Sequence, residues 1–185
     1  MLGVLPEPAR TAVLVAAFTG LRRSEIRGLR WEDLAGDELR ISRSAWGTWV
    51  SDEGETKTDS SAAPVPVVPF LRKALERHRK TQHNKSGFIF EGRTGRPLVL
   101  ANLLRRDIRP ALDKAKVQWH GWHAFRRGVG SILYALGTPD KVIQNVLRHA
   151  NVATTQTYYI KTASPASVKA MRKLEKAFAK SATGR

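Results

Sequence analysis

The chain contains no cysteine, which excludes disulfides and thiolate metal sites within it. It has no run of eighteen apolar residues, and residues 12–18, its greasiest stretch, suffice only for a buried turn or two of helix. The opening Met1-Leu-Gly-Val-Leu-Pro is too short and too uncharged for a signal peptide. Acidic residues are scarce: 16 Asp and Glu stand against 32 Lys and Arg, a formal net charge of +16. Such a charge repels itself unless a polyanion compensates it. The expectation is a soluble, intracellular protein with no membrane contact and a phosphate-rich partner.

What is present fits one folded domain. A chain of 185 residues that is 42% hydrophobic can bury a core of its own. Its basic residues are scattered through core-forming segments rather than gathered in tails. That favours a folded nucleic-acid binder over a ribosome-like RNA scaffold or a membrane-surface protein.

Periodicity then orders the chain. Pro6-Glu-Pro opens a helix carried by residues 9–18 and broken at Thr19-Gly20. A second, short helix over 21–29 turns Leu21, Ile26 and Leu29 inward, and Trp31 and Leu34 pack on the turn that follows. From Glu38, Leu39 and Ile41 alternate with Arg40 and Ser42, a strand pattern. Residues 46–50 read as another strand and 56–58 as a hairpin arm. Residues 63–67 form a third extended piece that its prolines confine to an edge. A helix over 69–82 is expected to bury Phe70, Leu71, Ala74 and Leu75, and residues 88–90 are short and buried. Further helices cover 102–116, bent at Pro110, 123–136, closed by Gly137, and 139–149. A short helix over 153–159 precedes an amphipathic one over 165–180, with Val168, Met171, Leu174 and Phe178 on one stripe. The fold class expected is mostly α with a small antiparallel β-sheet (α+β), the sheet lying near residues 38–67.

Chemistry-bearing residues concentrate between Trp119 and Ile160. His123 and Arg126 are three apart, on one helix face, and together could hold two oxygens of a phosphate. The plainer reading is a helix start beside a solvated basic face. Tyr158 lies nine residues after His149. A phenol is a weak nucleophile unless cations stabilise the phenolate, and this region is rich in them. It could equally be a packing tyrosine. Tyr159 points about 100° away on a helix, so at most one of the pair faces a site. Arg22 has Glu25 three residues on, a pair able to orient its guanidinium or to act only as a surface ion pair. Lys57 is an ordinary lysine by pattern, with proton donation to an alkoxide as its functional reading. His120, His123 and His149 lack neighbouring carboxylates at ligand spacing, and Arg126 and Arg127 would repel a cation, so neither a metal nor any other cofactor is expected.

In order, Arg22, Lys57, His123, Arg126, His149 and Tyr158 resemble the catalytic set of the tyrosine recombinases, or phage integrase family. Thr-Gly-Leu-Arg22-Arg-Ser-Glu25-Ile resembles the first arginine box, and Lys57-Thr-Asp-Ser-Ser-Ala-Ala-Pro-Val-Pro the hairpin lysine segment. His123-Ala-Phe-Arg126-Arg resembles the His-x-x-Arg box. Leu147-Arg-His149, with Ala153-Thr-Thr-Gln-Thr-Tyr158 after it, resembles the third box and the nucleophile. The likeness runs from about Pro6 to Lys180. It departs at Arg148, where glycine usually precedes the histidine, at Ala62 and Ala63, where basic residues are usual, and in an insert over 46–54.

The resemblance implies the tyrosine recombinase catalytic-domain fold over 1–163, with 164–185 a C-terminal helix and tail that could dock on a neighbouring protomer. It implies that Tyr158 attacks a DNA phosphate, that Arg22 and Arg126 neutralise its oxygens, and that Lys57 protonates the leaving 5′-oxygen. His123 would assist proton transfer, His149 would donate to a phosphate oxygen, and Glu25 would orient Arg22. The implied partner is double-stranded DNA, bound as a homo-tetramer by a full-length protein and met as a monomer by an isolated domain. Family members usually carry an N-terminal DNA-clamping domain, and the Arg22 helix begins close to Met1, so an isolated catalytic domain is expected. Two rivals are a type IB topoisomerase and a non-enzymatic DNA-binding module built on a helix-turn-helix over 139–159.

Overall fold

The computed structural model describes residues 2–52, 64–82 and 86–149. The expected hairpin arm at 56–58, the helices over 153–159 and 165–180, and with them Lys57, Tyr158 and Tyr159, lie outside the described residues.

Helix α1 (Ala9–Thr19) is the centre of the packing. Ala9, Thr11, Ala12, Val13, Leu14, Val15, Ala16 and Thr19 are all buried. A helix apolar on every side has to be enclosed, and α1 is packed against three later helices: α2 (Arg23–Gly28), α3 (Pro69–Thr81) and, far along the chain, α6 (Trp122–Ala135). It ends at Gly20, whose φ of 63° lets the chain turn left-handed into the Arg22 segment. As expected, Leu21, Ile26 and Leu29 are buried around α2.

A 3-10 turn, Trp31–Asp33, leads into β1 (Leu34–Ala35) and β2 (Glu38–Leu39). Next, β3 (Ala45–Trp46) and β4 (Trp49–Val50) pair only with each other among the described residues, and β5 (Val65–Pro66) returns to β2. The sheet order is β1-β2-β5, antiparallel, with Leu39 opposite both Leu34 and Val65. The proline-bearing β5 lies on the edge, where a missing N–H is tolerated. The one sheet expected is therefore two. Gly47, at φ 52°, and Thr48 fold residues 46–50 back on themselves instead of extending as one strand. The buried guanidinium of Arg27 fastens this hairpin to α2. It donates from Nη1 to the Ala45 carbonyl at 3.0 Å, from Nη2 to the Gly47 carbonyl at 2.7 Å, and from Nε to the Leu98 carbonyl at 3.0 Å.

Helix α3 buries Leu71, Ala74, Leu75 and His78. Phe70 corrects the expectation: it is 58% exposed and rests against the partly exposed Phe18, ring centroids 5.6 Å apart. One residue is 100° of helix, so Phe70 in the first turn falls outside the stripe that runs through 71, 74, 75 and 78. The helix expected over 102–116 is α4 (Leu100–Leu103), a π-helical turn Leu104–Ile108 and α5 (Arg109–Lys114). Pro110 has no N–H for the carbonyl four residues back, and the widened turn accommodates that gap. Helix α6 is closed by Gly137, at φ 80°, and α7 (Asp140–Leu147) follows. Ile143 and Leu147 pack on Val129, Leu133 and Tyr134, a small cluster beside the main core. Among the described residues no helix is long and apolar enough to cross a membrane.

Gly28, at the end of α2, tests the closeness of this packing. A Cβ there would lie 2.6 Å from the Arg43 carbonyl oxygen and 2.8 Å from its carbon, both backbone atoms. Gly28→Ala is expected to destabilise the fold by about 2–3 kcal/mol, seen as a lower urea midpoint at unchanged m-value.

Candidate active site

The residue before α2 begins the site. Arg22 is the helix N-cap, with extended backbone (φ −70°, ψ 152°). Its backbone N–H donates to Glu25 Oε2 at 2.7 Å, and its Nη1 donates to Oε1 at 2.8 Å. One carboxylate thus caps the helix and orients the guanidinium. Glu25 is buried, its side chain 5% exposed, while the Arg22 side chain is 42% exposed. The pair is anchored at its acidic end and open at its basic end.

Arg126 comes from the second turn of α6 and is 3% exposed. Its Nη1 donates to the Gly20 carbonyl at 2.9 Å, and its Nη2 donates to the Leu147 carbonyl. Gly20 is the C-cap of α1 and Leu147 the last residue of α7. One cation therefore meets the negative ends of two helices, where cations are favoured. A Cβ on Gly20 would lie 2.8 Å from Leu147 Cδ2 and 3.7 Å from Arg126 Cα, so these three segments touch.

His149 follows α7. Its backbone N–H donates to the Gln144 carbonyl at 3.1 Å, and Gln144 Nε2 donates to the His149 carbonyl at 3.0 Å. His123, exposed, precedes Arg126 by one helical turn. The charges of Arg22, Arg126 and His123 all act on His149, and those of Arg126, Arg127 and Arg22 act on His123. Arg22, Glu25, His123, Arg126 and His149 are thus brought together, from segments a hundred residues apart.

Burial, then the charges of Arg126, Arg22, His123 and Arg148, lower His149 from its ordinary 6.5 to about 4. Burial and the charges of Arg126, Arg127 and Arg22 also lower His123. Both imidazoles are neutral near pH 7, so each has one ring N–H to donate and one nitrogen to accept. Burial alone would raise the Glu25 carboxyl, but Arg148's charge, the Arg22 N–H and the Arg22 guanidinium hold it below its ordinary value. Glu25 is an anion between cations. The arrangement is suited to receiving an anion with several oxygens. Among the described residues no group of three His, Cys, Asp or Glu side chains could hold a metal ion.

One further residue of the site, Arg148, and a tryptophan pair outside it carry no local sequence signal of their contacts. Arg148 stands out in the sequence only as a departure from the glycine usual before the histidine, and it donates from Nη2 to Glu25 Oε2 at 2.7 Å. Trp46 and Trp49 stack at the exposed hairpin, centroids 5.7 Å apart, and Trp46 lines a small pocket with Arg23 and Arg27.

His149 gives a direct test. Its folded pKa is lower than its unfolded one, so the unfolded chain takes up the proton more readily between them. Its contribution to stability is complete above about 6.5 and is lost as pH falls toward about 4. In an NMR titration its ring Cε1–H is expected to move with a midpoint near 4. A midpoint at or above the ordinary value would show that the arginines do not crowd it.

Known proteins share this arrangement of segments. The model of the phage integrase family matches residues 4–164, a span that includes Lys57 and Tyr158. A tyrosine recombinase XerC-like protein of Caldanaerobacter subterraneus is 28% identical, over 79% of this chain and 44% of its own length. Tyrosine recombinase XerC of Mesorhizobium japonicum is 31% identical, over 80% of this chain and 45% of its own. The chain spans less than half the length of these relatives. Among solved structures, the Tn1549 transposon integrase (residues 82–397) in complex with circular intermediate DNA superposes with a TM-score of 0.74 at 22% identity, covering 94% of this chain and 63% of that one. At that identity the match speaks to the fold, which is that of a tyrosine recombinase catalytic domain.

Proposed function

The chain belongs to the phage integrase family, and from that premise we propose that it is the catalytic domain of a site-specific DNA recombinase. It cuts and rejoins strands of double-stranded DNA through a 3′-phosphotyrosyl intermediate. The observation that carries this reading is the convergence of Arg22, Arg126, His123 and His149, neutral histidines among cations, with Arg22 held by one buried carboxylate.

In this reading the Tyr158 Oη attacks the scissile phosphorus, and the bond from phosphorus to the 5′-oxygen breaks. Charge grows on the non-bridging oxygens in that transition state. Arg22 and Arg126 stabilise it, and His149 donates one N–H to the same oxygens. His123, its second nitrogen available, assists removal of the phenol proton. Lys57 gives a proton to the leaving 5′-oxygen. The phosphotyrosyl bond preserves the energy of the phosphodiester, so the 5′-hydroxyl of another strand reverses the step without metal or ATP. Exchange of one strand pair gives a Holliday junction, and exchange of the second resolves it. A homo-tetramer on DNA is the assembly such an exchange calls for, with a C-terminal segment after 164 as its coupling element. The relatives are named recombinases, and the superposed transposon integrase is bound to DNA. Both support this reading over a type IB topoisomerase or a purely binding module.

Incubation with a nicked duplex that traps the cut strand is expected to give a denaturant-resistant protein–DNA band. Tyr158→Phe abolishes the band and Tyr159→Phe leaves it. Loss of the band in Tyr159→Phe alone would reassign the nucleophile, and relaxation of supercoils without exchange between duplexes would favour the topoisomerase. Lys57→Met is expected to slow cleavage by about 10²–10⁴-fold, the usual worth of a general acid. DNA carrying sulfur at the 5′-bridging position should recover most of that loss, because a thiolate leaves without a proton. No recovery would remove Lys57 from the role of acid.

A further inference from the structure

Among the described residues four helices end with a left-handed residue. At α1 it is Gly20 (φ 63°), beyond α5 it is the exposed Lys116 (φ 53°), and beyond α6 it is Gly137 (φ 80°). After α7 it is Arg148, at φ 54° and ψ 49°. The hydrogen bonding after α6 and α7 is the same. Gly137 and Thr138 donate to the Tyr134 and Leu133 carbonyls, and Arg148 and His149 donate to those of Asn145 and Gln144. Glycine meets this conformation without strain, whereas an L side chain is strained there. The Arg148 side chain is also 1% exposed, and its Nε and Nη1 are buried with no hydrogen-bond partner among the described residues. Position 148 thus carries a strained backbone and an under-satisfied buried cation. Lys116 shows that a helix stop can carry a left-handed non-glycine residue, but its side chain is exposed, and a helix stop does not call for the buried cation.

The described hydrogen bond of the Arg148 side chain runs to Glu25, 123 residues away, on the oxygen that also caps α2: Nη2 to Oε2, 2.7 Å. With Oε2 occupied by Arg148 and by the Arg22 backbone N–H, only Oε1 takes the Arg22 guanidinium, through Nη1. A carboxylate free on both oxygens can grip an arginine in a two-pronged fork. Here the contact is one-pronged, and the Arg22 side chain as a whole is 42% exposed. Charge acts in the same direction. Glu25 and Arg22 alone would be a neutral pair, and Arg148 restores one positive charge.

We propose that Arg148 is a positioning residue for Arg22: by sharing the Glu25 carboxylate it holds Arg22 in a one-pronged contact and leaves its charge and remaining donors for the phosphate. The inference rests on the proposed cleavage reaction for its consequence, and on the Arg148–Glu25–Arg22 geometry for its cause.

Arg148→Gly is the main test, since it relieves the backbone strain while removing the guanidinium. In single-turnover cleavage of the nicked duplex at saturating DNA, it is expected to slow phosphotyrosyl formation by about tenfold or more while DNA affinity stays within about twofold. Arg148→Lys, which keeps a cation beside Glu25, should recover most of the rate. In a Glu25→Gln background, Arg148→Gly should cause no further loss, because the link it acts through is gone. Urea midpoints establish that each variant is folded; if Glu25→Gln does not fold, the contrast between Lys and Gly at 148 decides the matter. A glycine variant that cleaves at the wild-type rate, a lysine variant as slow as glycine, or an undiminished loss in the Gln background would overturn the proposal. The NMR signal of the Arg22 Nε–H, read in the DNA-free protein, separates this failure from that of the reaction itself. It should shift in Arg148→Gly and stay in Arg148→Lys. If the wild type forms no adduct, the cleavage reading falls, and an unchanged Arg22 signal in Arg148→Gly overturns the positioning role independently.

Discussion

The guanidinium of Arg126 grips the backbone carbonyls of two helix ends, and much of the site follows from that. These hydrogen bonds end on Gly20, where α1 stops, and on Leu147, where α7 stops. Each helix presents carbonyls left over from its own ladder and the negative end of its dipole there, so backbone helps to stabilise the buried cation. The two carbonyls lie two residues before Arg22 and two before His149. One side chain on α6 therefore sets where the other two segments deliver their residues. Removing it would take a donor from two buried carbonyls and would loosen both segments at once.

Glu25 solves a different problem. Arg22 has to be ordered and still reach outward, and a long side chain on the surface is ordered only at an entropic cost. A carboxylate in the first turn of α2 can anchor it, because that position already accepts from the N-cap N–H. The danger is cancellation, since a buried carboxylate beside an arginine neutralises the charge it orients. Arg148 answers this from behind, where its side chain is closed to solvent.

The helices are legible in the sequence because their apolar residues recur every three or four positions, and because Gly20, Gly137 and Pro139 mark ends. The Arg22–Glu25 and His123–Arg126 pairs are legible for the same reason: residues three apart share a helix face whatever the fold around them. Phe70 misleads because its apolar character says nothing of which side of the first turn it occupies. The hairpin at 45–50 misleads because an apolar run with one internal glycine suits either a strand or a turn. The link from Arg148 to Glu25 cannot be seen in the sequence. It joins residues 123 apart, and no local pattern announces that a strained arginine will turn inward. What the sequence does show is the place to look, an arginine where the family's pattern has glycine.

Charge accounts for the remaining character of the site. Among the described residues, Arg22 and Arg148 bond the carboxylate of Glu25, the charges of Arg126 and Arg22 act on both histidines and that of Arg127 on His123, and both histidines are neutral at pH 7. One carboxylate among four arginines leaves the region an excess of positive charge in a partly buried place, where mutual repulsion is poorly screened. The depressed His149 pKa, caused first by burial and then by the arginines' charges, is in keeping with that excess. A phosphodiester brings one negative charge, and the transition state for displacement at phosphorus concentrates more of it on the oxygens facing the protein. In the proposed reaction, positive charge in excess of the diester's own favours the transition state, where more negative charge builds up, over the ground state. Arg148 adds one positive charge to that excess. An arginine tolerated at a left-handed position, buried and under-satisfied, is intelligible on those terms.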